Sequence, residues 1–382
     1  MARKIPLREL NPFKDRTPVQ RRHAAQYLLI TLISFAFSVG GTRLFLEVLG
    51  YPQLGGGQLH IAHVLWGGLF LFVASLLPLI LINRWGLRLS ALLAGFGIGL
   101  FIDEVGKFIT QTNDYFYPAA APIVYVIFLL TVLVFAQIRN NRKSSVRTEM
   151  YGVLEDFEEV LDQDLSADEF GDLLSKLEQV ILSEKPPELV DLAKHLKTYL
   201  EMNRTRVVPE DPSLYDRVLG WFRRFEKNHL NRKRLRKILI VGMLAWAIWA
   251  LVSPIGFLLL SRDASQLQVF LDQLISNRLV RNESGLNWFE ARVLLEGGVG
   301  ILALISAALI TTKAEVQGVW LGIADLLVTL TIVNPLIFYF DQFSSMIGAF
   351  FHFVLFILLI RYKQRFLNDK ELIPAGAVSG NS

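Results

Sequence analysis

The chain has 382 residues, 52% of them apolar and 19% charged, with a mean hydropathy of +0.40. That charged share lies below the roughly 25% typical of soluble domains, so a membrane protein is expected rather than a soluble enzyme or a nucleic-acid binder. With no cysteine and a net charge of only +4, disulfides, thiolate metal sites and cysteine nucleophiles are excluded, and the charge is informative through where it sits.

In chain order, residues 1–24 form a basic arm with Arg3, Lys4, Arg8, Lys14, Arg16, Arg21 and Arg22. The arm is too long and polar before the first apolar run to read as a cleavable signal peptide, and neither end carries a lipidation signal. A crossing helix needs roughly 20 mostly apolar residues. Eight runs meet or approach that length: 25–49, 60–82, 87–109, 118–138, 238–260, 288–310, 316–340 and 346–360. Asp103, Glu104 and Lys107 weaken the third, and Glu290, Arg292 and Glu296 weaken the sixth. The expected fold is an all-α membrane protein with eight transmembrane helices in a 4+4 arrangement. Residues 25–138 form the first membrane unit, 139–235 a helical cytoplasmic insert, 236–361 the second unit, and 362–382 a tail.

Lys and Arg near short loops set the orientation. Arg84 and Arg88 follow span two, Arg139, Arg142 and Lys143 follow span four, Lys313 follows span six, and Arg361, Lys363 and Arg365 follow span eight. The alternate loops 51–58, 110–118 and 341–345 hold no Lys or Arg, and only the loop 261–285 departs, with Arg262, Arg278 and Arg281. A multi-pass protein of the cell (inner) membrane with both termini cytoplasmic is expected.

Within the insert, residues 148–172 are acidic and contain no Lys or Arg. The stretch from Asp162 fails as a calcium loop, because its sixth place is Ala167 and its twelfth Leu173 where glycine and glutamate are needed. Ser166 and Glu169 read instead as a capping box. The helix they open carries Phe170, Leu173, Leu174, Leu177 and Ile181 at helical spacing, and a second carries Leu189, Leu192, Leu196 and Leu200. Residues 223–237 then gather Arg223, Arg224, Lys227, Arg232, Lys233, Arg234, Arg236 and Lys237. Anionic lipid headgroups would attract them by about 1 kcal/mol per charge; the alternative is pairing with the acidic stretch. The insert reads as a helical hairpin near the membrane, with a regulatory or protein-partner domain as the alternative. The oligomeric state is not set by the sequence.

The two halves also align as a parallel repeat. Gly67 pairs with Gly297, Asp103 with Asp341, Glu104 with Gln342, and His60 with Glu290. Elsewhere in the second half, Glu296, Asp325 and His352 read as interior polar groups without an assigned role.

One constellation could carry chemistry. His60 and His63 share a helical face at the outer end of span two. Asp103, Glu104 and Lys107 lie at a similar depth on span three, and Arg43 on span one. Gly95 and Gly99 on span three permit close helix approach; with no strand before Gly95 and no phosphate-binding lysine after Gly99, a nucleotide loop is not supported. Two imidazoles and a carboxylate suit a divalent metal such as zinc, and a carboxylate not used as a ligand serves as general base. His60, His63, Asp103 and Glu104 are therefore the candidate metal ligands. Glu104 is the candidate base, with Arg43 and Lys107 as cationic partners. This reads as a metal-dependent hydrolase-like site near the outer leaflet, acting on a lipid or lipophilic group. Two other readings stay open: a transporter or channel whose polar path uses these residues, and a structural or sensory protein in which they only brace helix ends.

The pairing of "HIAHVLWG" with "GFGIGLFIDEVGKF", over residues 58–108, resembles a group of uncharacterised bacterial multi-pass membrane proteins. In these a His-x-x-His span precedes a Gly-rich span ending in Asp-Glu. Ala62 stands where some relatives have a third histidine, which argues against a histidine-only metal site. The resemblance implies no activity.

Overall fold

The computed structural model describes residues 18–49, 62–112, 114–115, 117–140, 145–162, 165–183, 186–202, 217, 220–221, 224, 226, 230–263, 265–266, 268–270 and 283–367. His60, Arg223 and Lys227 lie outside them. The described residues contain no β-strand. The helices are α1 (Ala24–Val48), α2 (His63–Ile80), α3 (Arg84–Asp103), α4 (Val105–Ile109) and α5 (Ala120–Asn140). They continue as α6 (Val146–Asp162), α7 (Ala167–Leu182), α8 (Pro187–Met202), α9 (Arg232–Leu260), α10 (Glu283–Thr311) and α11 (Glu315–Val328). A π-turn (Thr329–Val333), α12 (Asn334–Asp341), a 3-10 turn (Gln342–Ser345) and α13 (Met346–Phe366) follow.

Among the described residues, seven helical segments are long and apolar enough to cross a membrane. They leave large apolar side chains such as Phe72, Leu79, Trp249 and Phe350 exposed. A soluble surface does not tolerate this on such a scale, whereas hydrocarbon favours it. The seventh segment, Glu315–Phe366, is 52 residues long. At 1.5 Å per residue it would reach far beyond one roughly 30 Å core. It folds back on itself: Tyr362, near its end, donates a hydrogen bond to Glu315 at its start. The turn lies next to Gln342, whose φ of 50° is the only positive value at a described non-glycine residue.

The chain divides into two compact units, one of residues 1–36, 69–97 and 130–213, the other of residues 37–68, 98–129 and 214–382. In the first, α1 and α3 pack closely. A Cβ added at Gly95 would overlap Ser34 Oγ and the Thr31 carbonyl oxygen, so glycine is required there for α3 to reach α1. Thr31 Oγ1 then donates to the Ala91 carbonyl at 3.1 Å. Helices α6, α7 and α8 share a core of Val153, Leu173, Leu177, Ala193 and Leu200. The capping box opens α7: Glu169 N–H donates to Ser166 Oγ at 3.3 Å, and Ser166 N–H donates to Glu169 Oε2 at 3.0 Å. Leu192, expected on the buried face of α8, is exposed, and Val190 and Ala193 are buried in its place. Leu200 is in the core and Leu189 and Leu196 pack against it, so Leu192 alone departs from the leucine stripe.

Asp156 on α6 ties this helical module to the basic residues beside α1 and α3. It accepts from Arg22 at 2.6 Å, Arg84 at 2.7 Å and Lys176 at 2.8 Å. Arg84 also pairs with Glu159. Burial pushes the Glu159 carboxyl up to about 7, against the pull of Arg84 and with Glu169 adding to the rise.

In the second unit, α9, α10, α11 and α13 pack around Leu239, Met243, Trp246, Ala303, Leu326 and Leu359. Arg232 and Arg236 of the basic stretch are held by α10 and α11 here. Arg232 pairs with Glu315 at 2.8 Å, and Arg236 donates to the Ile310 carbonyl.

Candidate functional site

Helix α3 stops at Asp103, and Glu104 (φ −91°, ψ 10°) breaks it before the single-turn α4. The break turns two adjacent carboxylates into the interior of the second unit, Asp103 0% and Glu104 1% exposed. Gly106 lets the following loop lie on α4, because a Cβ there would stand 2.6 Å from the Asp114 carbonyl oxygen. The loop thereby delivers Tyr115 to Asp103.

Every oxygen of Asp103 has a donor. Arg43 Nε lies 2.6 Å from Oδ1, Tyr115 donates its hydroxyl to Oδ2 at 2.6 Å, and His63 Nε2 lies 3.1 Å from Oδ2. Arg43 also donates to the Asp103 carbonyl at 3.2 Å. Its guanidinium is sandwiched between rings, 4.2 Å from the Tyr115 centroid and 3.7 Å from that of Phe343, an arrangement that favours a desolvated cation. Burial, then the Asp103 charge, hold the Tyr115 phenol well above its ordinary value, so it stays a donor.

Glu104 is less complete. Its Oε1 accepts from Lys107 Nζ at 2.8 Å and lies 3.3 Å from His63 Nδ1. Its Oε2 is buried without a hydrogen-bond partner. His63 and Lys107 side chains are 20% and 25% exposed, so they form the accessible edge of the cluster.

The structure thus brings His63, Asp103, Glu104, Arg43 and Lys107 together. His60 lies outside the described residues. The described candidates His63, Asp103 and Glu104 do not by themselves form the expected zinc-type centre. Among the described residues no group of three or more His, Asp or Glu side chains is placed to hold a metal ion. Arg43, Tyr115 and His63 take the Asp103 oxygens that a metal would need, and a guanidinium 2.6 Å from Oδ1 repels a second cation. Tyr115 and Phe343 were not singled out in the sequence. Neither carries a periodic or motif signal, and each arrives from a turn.

A second polar group lies among α5, α9, the π-turn, α12 and α13. Asn334 Nδ2 donates to Tyr125 Oη at 3.0 Å, Tyr125 donates to the Leu330 carbonyl at 3.0 Å, and His352 Nδ1 lies 3.1 Å from Asn334 Oδ1. The His352 ring meets the Trp246 ring at 3.9 Å between centroids. The sequence had shown Asp325 and His352 only as scattered residues.

Among the described residues, an all-helical structure with seven apolar helical segments of crossing length has the architecture of a multi-pass membrane protein. Comparison with known protein families, with curated proteins and with solved structures finds no match.

Proposed function

We propose that this chain is a sensory protein of the cell membrane, with eight crossings and both termini cytoplasmic, whose outer cluster binds and releases a proton. The Lys and Arg placement supports the orientation, and the turn at Gln342 supports two crossings within the last segment. A parallel repeat is supported by a shared local motif. Asp341 closes α12 as Asp103 closes α3, and Arg292 holds it through two bonds of 2.9 and 2.6 Å.

The observation that carries the function is the position of the His63 ring, with Nε2 3.1 Å from Asp103 Oδ2 and Nδ1 3.3 Å from Glu104 Oε1. A neutral imidazole has one N–H and one lone pair. A protonated ring would turn one N–H toward each of these two carboxylates. Losing that proton sets a nitrogen lone pair against a carboxylate oxygen. The groups facing the ring are Arg43 from α1, Asp103 from α3, Glu104 and Lys107 around α4, and Tyr115 from the loop. Helix α3 carries the response. It ends at Asp103 and begins at Arg84, which is bound to Asp156 and Glu159 of the cytoplasmic module.

The test uses full-length protein in nanodiscs, stepped between about pH 8 and about pH 5, the range in which histidine charge changes. Hydrogen exchange in α6–α8, corrected for intrinsic chemistry, is expected to change in the wild type and to respond less in His63→Gln. Glu159 also titrates in this range, so the comparison between the two proteins isolates His63. An identical response in both overturns the reading. So does one equivalent of bound metal that is lost in Asp103→Asn, which would restore the hydrolase.

A further inference from the structure

Asp325 lies eleven residues into α11, roughly 15 Å along it and so near the middle of a roughly 30 Å apolar core. It is 1% exposed, and neither carboxylate oxygen has a hydrogen-bond partner among the described residues. Its neighbours are equally incomplete. The Trp246 indole nitrogen on α9 faces the carboxyl without a bond of ordinary geometry, and Thr329 Oγ1, one turn on from Asp325, is also buried and unpaired. Four polar atoms of three side chains are thus left open in one place.

The charged and titratable groups on the surrounding helices are engaged elsewhere. Arg292 and Glu296 of α10 bind each other, and Arg292 also binds Asp341. His352 of α13 is held by Asn334 and meets Trp246 only through its ring. Glu315 at the start of α11 binds Arg232. An ionised carboxylate left uncompensated at this depth costs several kcal/mol, so the group must hold a cation or a proton. An indole N–H turns the positive end of its dipole toward the carboxyl, which opposes a metal cation there; burial favours the neutral acid, whose carbonyl oxygen the N–H can reach. Thr329 Oγ1 supplies the acceptor that an acid O–H requires. The π-turn that starts at Thr329 is the irregular backbone that recurs at functional positions of membrane helices.

We propose that Asp325 is an intramembrane proton-binding site, separate from the outer cluster, in which the carboxylate takes one proton from water and is held as the neutral acid by Trp246 and Thr329. The acid O–H donates to Thr329 Oγ1, and Trp246 Nε1–H donates to the other oxygen. Release of the proton leaves a bare charge in the helix core, which makes repacking around the π-turn proton-dependent.

Infrared spectroscopy of the full-length protein in nanodiscs tests this. Near neutral pH, with every protein carrying Glu159→Gln to remove the carboxyl held at about 7, the otherwise wild-type chain is expected to show a carboxylic-acid carbonyl band that is absent in Asp325→Asn and present in Asp341→Asn. Thr329→Val is expected to shift the band to higher frequency, because the acid loses its acceptor. The same band in His63→Gln separates this site from the outer cluster. Absence of the band in the otherwise wild-type chain, or its persistence in Asp325→Asn, overturns the proposal. Loss of the band on adding sodium at constant pH also overturns it, in favour of a cation site.

Discussion

Asp103 and Asp325 are both aspartates buried in apolar helices, 0% and 1% exposed, and they are treated in opposite ways. Asp103 closes its helix against Arg43, His63 and Tyr115. Asp325 sits within its helix with no cation and no hydrogen bond to either oxygen. A carboxylate at the end of a helix can be reached by loops and neighbouring helix ends, which bring charged and hydroxyl groups. One in the middle of a packed helix meets only what adjacent helices present, here an indole and a threonine. The first position is therefore stable as an ion, the second as an acid.

The largest expected effect comes from breaking the saturated pair. Arg43→Met leaves Asp103 buried without its guanidinium, and stability should fall by about 3–5 kcal/mol in denaturant unfolding in detergent. A loss below about 1 kcal/mol, the scale of an exposed ion pair, would remove the distinction drawn here. Tyr115→Phe deletes one donor and keeps the ring over Arg43. A loss of about 1.5–3 kcal/mol is expected for a bond to a charged group, and a thermal melt unchanged from wild type would show that Oδ2 does not need it.

Gly95→Ala asks whether packing rather than charge sets the Asp103 cluster. The added methyl meets Ser34 and the Thr31 backbone and should cost about 1–3 kcal/mol by overpacking. The His63-dependent pH response should survive; if it vanishes, α3 packing and the proton site are one device. The smallest effect belongs to Asp325→Asn. It replaces a neutral acid by a neutral amide, so unfolding should shift by less than about 1 kcal/mol, the scale of one neutral hydrogen bond. A strong stabilisation would mean that the wild type carries the bare charge.

Much of the fold was legible before the structure because its signals are local. Ser166 and Glu169 announce the start of α7 through a spacing that needs no tertiary information. Leu173 and Leu177 fall in the core of the module, as their spacing indicates. Leu192 does not, because four leucines in a row of turns define a stripe, and only the neighbouring helices decide which edge of that stripe is covered. The partners that His63, Asp103 and Glu104 take were hidden for a related reason. His63, Asp103 and Glu104 do meet, but a list of ligand types does not reveal that Arg43 and Tyr115 reach the same oxygens first.

By itself the sequence determined the helical class, the apolar segments long enough to cross a membrane, the amphipathic module between the two halves, and the shared depth of His63, Asp103 and Arg43. These follow from hydrophobic length and helical period, which are properties of a single chain direction. Only the tertiary structure decided that Phe343 and Tyr115 sandwich Arg43, that Arg22, Arg84 and Lys176 converge on Asp156, and that Asp325 meets an indole instead of a cation. Those pairings join residues up to 300 positions apart, and packing selects among many partners of equal chemistry.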